Sequence, residues 1–233
     1  MAQDSPRTER RTLVLRHDVD QAPAAALTMA AIERELGVTS SWYFRWRTAH
    51  PAVIEALRRD GFDVGLHYET RSRHALSSDV RAGLAGGGEL ARFRAELREE
   101  IGAFRDLHGE IASIAPHGDS RIPWASNAAL MQGEDPRGYG IAFDANEAMR
   151  GRDLGYWLTD RSAADGGWKD GVDPAELFRQ GITPILCLTH PNNWVSGPAL
   201  WADRILSRLL PDAGARRRSP SRPIRSGSDE PPL

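Results

Sequence analysis

Cysteine is nearly missing from this 233-residue chain. Cys187 is its single example, so an intramolecular disulfide is excluded. It lies in the apolar run Ile185-Leu-Cys-Leu188 and reads as a small core residue. Lysine is equally scarce, with Lys169 alone, so almost every basic residue is arginine, a habit of composition and not a binding patch. A net charge of −2 excludes general nucleic-acid binding, which needs a basic excess on one face. Apolar runs long enough to span a bilayer are absent. The polar opening Met1 to Arg11 has no export signal's apolar stretch, so the expected location is cytoplasmic. Gly86-Gly87-Gly88 lacks the following Lys-Ser/Thr of a phosphate-binding loop and reads as a flexible connection. Ser120 stands near His117 without a Gly-X-Ser-X-Gly elbow, so serine hydrolysis lacks its motif.

What is present is a globular alternation. Hydrophobic residues make up 40% and charged residues 27%, ordinary values for one folded core. The expected organisation is a flexible N-terminus over 1–11, a single domain over 12–210 and a disordered tail over 211–233. Leu13 to Asp20 opens with a strand, and Ala24 to Glu35 is a helix that Gly37 closes. A second strand is expected over Val38 to Arg45, and a helix from Pro51, entered through His50, ends at Gly61. The third strand, Phe62 to His67, precedes a long helix from Glu89 to about His108 with Leu90, Phe93, Leu97, Ile101 and Phe104 along one face; the histidine at its end faces the helix dipole. Ile111 to His117 is the fourth strand, followed by short candidates at Gly140 to Phe143 and Tyr156 to Leu158. A helix over Pro174 to Gln180 leads into the last strand, Ile182 to His190, and Pro198 starts a closing helix with Leu200, Ile205 and Leu209. Strand–helix alternation implies a mostly parallel sheet, either an incomplete barrel or an open doubly wound sheet.

In such a sheet the C-terminal strand ends share one rim, where chemistry collects. Asp18 and Asp20 follow strand one, His67 ends strand three, His117 ends strand four and His190 ends the last. Three of seven histidines at equivalent places, opposite an Asp pair, suit Zn²⁺ or a similar divalent ion.

These residues resemble the polysaccharide deacetylase superfamily, the NodB-homology or carbohydrate esterase family 4 proteins, in a divergent branch whose first motif reads Arg-His-Asp-Val-Asp. Arg16-His-Asp-Val-Asp20 corresponds to that motif, and Gly37 to Phe44 is similar to the family's second strand. Gly61 to His67 resembles the second-motif segment, Ala115-Pro-His-Gly118 the third and Leu188-Thr-His-Pro191 the last. The resemblance covers about residues 12 to 200 and implies a distorted (β/α) barrel with fewer than eight parallel strands. It implies Asp18 as general base, His190 as general acid, and Asp20 and His67 as ligands of a divalent metal, zinc. Such an ion polarises an amide carbonyl and acidifies water, a carboxylate takes the water's proton, and an imidazole protonates the leaving amine.

The family's second motif has another histidine where this chain has Arg71. A third ligand is therefore expected from His117, which replaces a family tyrosine, with His74 in reserve. Ile114 stands where the family has an arginine, leaving Arg16 or Arg45 as partner for Asp18. His17, next to Asp18, is turned away by strand alternation. Trp194 after the last motif, with Trp157, Asp160 and Trp168 in the fourth-motif segment, are candidate substrate contacts, chiefly Trp194 and Asp160. The expected function is metal-dependent removal of an acetyl group from an N-acetylated sugar or related amide. The missing export signal favours a nucleotide-linked or lipid-linked sugar precursor over a cell-wall polymer. The alternative is a catalytically inactive descendant that binds carbohydrate or a protein partner.

Overall fold

Among the described residues, every named strand pairs in parallel, and β1 (Leu13–Val19) sits inside the sheet between β2 (Ser41–Phe44) and β7 (Ile185–Thr189). The structure, a computed structural model, describes residues 11–75, 87–119, 121–150, 154–160, 167–195 and 197. Beyond β2 come β3 (Asp63–Tyr68), β4 (Ser113–Pro116) and the short β5 (Phe143–Asp144); beyond β7 comes β6 (Tyr156–Thr159). The order of the seven strands is β5-β4-β3-β2-β1-β7-β6. Each step from β1 to β5, and again from β6 to β7, moves in the same direction round the sheet. A doubly wound sheet reverses direction at a switch point, and this one does not. The last strand returns to lie beside the first, so the fold is a distorted (β/α) barrel with seven parallel strands, opened between β5 and β6.

Helices clothe the outside: α1 (Ala24–Glu35), α2 (Pro51–Arg59), α3 (Gly87–His108), α4 (Ala145–Arg150), α5 (Pro174–Arg179) and α6 (Pro191–Trp194). The stripe read along α3 is its buried face: Phe93, Leu97, Ile101 and Phe104 are all fully inaccessible. They pack in one core with Trp42, Phe44, Leu66 and Tyr68 from the sheet, each such side chain contributing about 1.5–3 kcal/mol. A smaller core gathers Leu158, Leu177, Ile185 and Cys187, the small core role expected of the cysteine.

The barrel interior is filled differently. Tyr43 crosses the face of Gly65 to share a 2.9 Å hydrogen bond with the Ser113 hydroxyl. A Cβ on Gly65 would stand 2.4 Å from the Ser113 carbonyl oxygen and 2.8 Å from the Tyr43 ring, so only glycine fits there.

Several boundaries differ from the sequence reading. β2 is confined to Ser41–Phe44, because pairing with β1 begins only at Arg16 opposite Ser41. α3 already includes Gly87 and Gly88, which were expected in a loop. His108 ends that helix, as expected. Burial, with Arg58 nearby, lowers its pKa from 6.5, and its ring packs 4.6 Å from Phe104. The expected closing helix from Pro198, the N-terminus over 1–10, Ser120 and the tail from 211 lie outside the described residues. Among the described residues, no helix is long and apolar enough to cross a membrane.

Candidate metal centre

β1 ends at Val19, where the Thr48 hydroxyl donates to the Val19 carbonyl at 2.5 Å. Arg47 donates to the carbonyl of Asp20 at 3.3 Å. Both groups come from the loop after β2, and they hold the chain so that Asp20 turns in over the rim. His67 is the penultimate residue of β3, and His117 follows β4 directly, on a neighbouring strand. Parallel pairing thus delivers three residues, distant in sequence, to one place.

There they form a near-equilateral triangle. Asp20 Oδ1 lies 3.4 Å from His67 Nε2 and 3.2 Å from His117 Nδ1, and the two nitrogens are 3.3 Å apart. The Nδ1–H of His67 donates to the Ala115 carbonyl at 3.0 Å, which leaves Nε2 with its lone pair facing the triangle. Asp20 Oδ1 is buried and has no hydrogen-bond partner. An orphaned carboxylate oxygen beside two imidazole nitrogens is unfavourable by itself. It suits a cation, since ligand atoms about 2.0–2.1 Å from a tetrahedral zinc stand roughly 3.3–3.4 Å from one another. The donor set and its spacing therefore fit a divalent ion such as zinc.

Two further groups border the triangle. Asp18 Oδ2 is 3.5 Å from His67 Nε2, and His190 Nε2 is 3.8 Å from Asp20 Oδ2. Asp18 is gripped by Arg16 from the same face of β1, Nε to Oδ1 and Nη2 to Oδ2, both at 2.8 Å. Against the upward push of burial, Arg16 and then His67 lower the Asp18 pKa. Of the two arginines considered for this partnership it is Arg16 that takes it. Arg45 instead pairs with Glu69.

His190 is held by Asp160, which follows β6. Its Nδ1–H donates to Asp160 Oδ1 at 2.7 Å, and its backbone N–H to Oδ2 at 2.7 Å. Burial would depress this imidazole, but the Asp160 bond and the charges of Asp20 and Asp18 push it up to about 9. Asn193 at 3.1 Å and the Trp194 indole at 2.9 Å complete the shell of Asp160 Oδ2. Asp160 is buried with four donors on it, so its oxygens are spent inside the protein. Trp194 itself is 43% exposed and its ring lies 4.9 Å from that of Trp168.

The remaining candidates lie elsewhere. His74 faces Glu96 at 3.2 Å, and the Arg71 side chain turns to Glu89 at 3.7 Å. His17 points to the other face of β1, bonded to Thr189 at 2.6 Å and Glu33 at 2.8 Å. Two asparagines had escaped sequence reasoning. Asn127, fully buried, accepts from the Arg71 backbone N–H at 2.9 Å and donates to the His117 carbonyl at 2.7 Å. Asn146, at the start of α4, accepts from Arg16 Nη1 at 2.5 Å. Neither lies in a motif, and amides that bridge loops leave no periodic signal. Asn193 was findable, being three residues past His190 on the same turn.

No family model matches the chain, and no curated protein does. Among solved structures it is similar to a CE4 family pseudoenzyme from Bacillus anthracis, with a TM-score of 0.48 and 11% identity over 86% of this chain and 61% of that one. It is also similar to a family 4 carbohydrate esterase from Streptomyces lividans in complex with acetate, with a TM-score of 0.46 and 15% identity over 86% and 88% of the two chains. A CE4 esterase from Streptococcus mutans gives a TM-score of 0.46 and 14% identity over 86% and 82%. The chain spans about 61% of the length of the pseudoenzyme.

Proposed function

We propose that this protein is a metal-dependent hydrolase that removes an acetyl group from an N-acetylated sugar or a related amide. The observation that carries the reading is the triangle of Asp20, His67 and His117 with Asp18 and His190 at its border. Asp20, His67 and His117 would hold a divalent cation, zinc by the donor set. When bound, such an ion polarises an amide carbonyl and eases deprotonation of water.

The chain's own groups divide the proton work. Asp18 is held ionised by Arg16, and each of its oxygens keeps a second lone pair with which to accept a proton from water. His190 commits Nδ1–H to Asp160, so Nε2 is the nitrogen that gives a proton to the leaving amine. Their environments push the two pKa values apart, the carboxylate down and the imidazole up, which is the division a base and an acid require. Asp160 acts in this scheme as a positioning residue for His190 in place of the substrate contact expected from the sequence. Trp194 keeps the role of an aromatic face beside His190, suited to the C–H face of a sugar ring.

The test is hydrolysis of N-acetylated amino sugars by the metal-loaded protein. Acetate release that disappears in His190→Ala, with the metal retained, is the expected result. Full metal content with no acetate released from any such sugar would favour the non-catalytic, carbohydrate-binding reading instead.

A further inference from the structure

Beside the triangle lies a cavity of about 340 Å³ whose wall includes His117, Asp119, Ile122, Ser126 and Asn146. Its position is defined from two sides. His117 belongs to the triangle, and Asn146 is joined through Arg16 to Asp18. A group seated here therefore adjoins the candidate ion through His117, and is linked to the candidate base through Asn146 and Arg16.

Size narrows the occupant. At about 30 Å³ per water-sized unit, the space holds roughly eleven non-hydrogen atoms. An acetyl group is several times too small, whereas a hexose ring with its substituents matches. The lining is two-sided as a pyranose is: Ile122 and Pro123 offer an apolar wall, while Ser126 and Asn146 offer polar groups. The Asn146 oxygen is committed to Arg16, so the orientation of the amide is fixed and its NH₂ is left to donate. Among the described residues, no arginine or lysine lines the wall. The one charged carboxylate there, Asp119, is held down to about 2 by hydrogen bonds from Arg121. A neutral or amino-bearing ring is thus accepted more readily than an anionic one.

We infer that this cavity is the sugar subsite, and that Asn146 is a specificity-determining residue whose amide donates to a ring hydroxyl. The inference rests on the reading of the site as a sugar deacetylase and deepens it. Its test uses the full chain as purified and glucosamine, the deacetylated product, which is not consumed. Binding is followed by NMR titration, with metal content and melting temperature measured on the same samples. Asn146→Ala should weaken glucosamine roughly three- to tenfold, the loss of one neutral hydrogen bond. Ala128→Phe, which fills the cavity from its lining, should abolish binding. Both variants should keep the wild-type metal content. Folded variants that bind like the wild type, or a metal-bearing wild type that binds no glucosamine, would overturn the subsite and leave the metal centre standing. A wild type without metal that still loses sugar affinity in both variants would uphold the subsite and sink the hydrolase reading.

Discussion

Arg16 and Asp18 are both about 96% inaccessible at their side chains, and their energetics are asymmetric. Making such a pair gains little over an apolar substitute, but removing one partner strands the other. Arg16→Ala should therefore destabilise the protein by about 3–5 kcal/mol in urea unfolding. Arg16→Lys keeps the charge but loses the two-pronged grip on both oxygens, and should recover only part of that loss. A second residue-scale expectation concerns His190. Its folded pKa is raised to about 9, so the folded chain holds this proton more tightly than the unfolded chain does. The resulting stability is complete below about pH 6.5 and is lost as pH rises through about 9. In chelator-treated protein, NMR titration of His190 should show this elevated value, and Asp160→Asn should bring it down. An unshifted titration in Asp160→Asn would remove Asp160 from its assigned part.

At the scale of elements, the site is positioned by close packing inside the barrel and by amides that bridge its loops. Gly65 gives way to the Tyr43 ring, and Gly65→Ala has no space to relax, with backbone on one side and a buried ring on the other. It should cost about 1–3 kcal/mol or more, read as a lowered urea midpoint. Asn127 holds the His117 turn, so Asn127→Ala should weaken metal affinity by roughly ten- to a hundredfold, measured by competition with a chelating dye. Undiminished affinity would make Asn127 a purely structural residue. The α3 stripe, the cap-glycine helix ends and the strand-end histidines were legible because periodicity and turn chemistry write them directly into the sequence. Strand lengths were less so, since β2 and β4 stop where their neighbours stop pairing, a property of the sheet and not of Val38 or Ile111. His108 shows the same limit: its helix-end position is local and was legible, but the burial that lowers its pKa is not.

For the whole molecule, one fact governs the rest: a singly wound parallel barrel brings every strand's C-terminal end to the same rim. This is why His117 can stand where Arg71 cannot, although fifty residues separate it from His67. Asp18, Asp20, His67, His117 and His190 could be named from strand ends alone. The choice of Arg16 over Arg45, the four-donor shell of Asp160 and the bridging asparagines could not, because each depends on contacts between elements remote in sequence. The open rung between β5 and β6 likewise follows from strand order and from no local pattern. The most direct measurement is the metal content of the purified chain and its variants, by elemental analysis. About one divalent ion per chain is expected, lost in Asp20→Ala, His67→Ala and His117→Ala and kept in His74→Ala. A wild type that binds no divalent ion, or triangle variants that retain it in full, would contradict this.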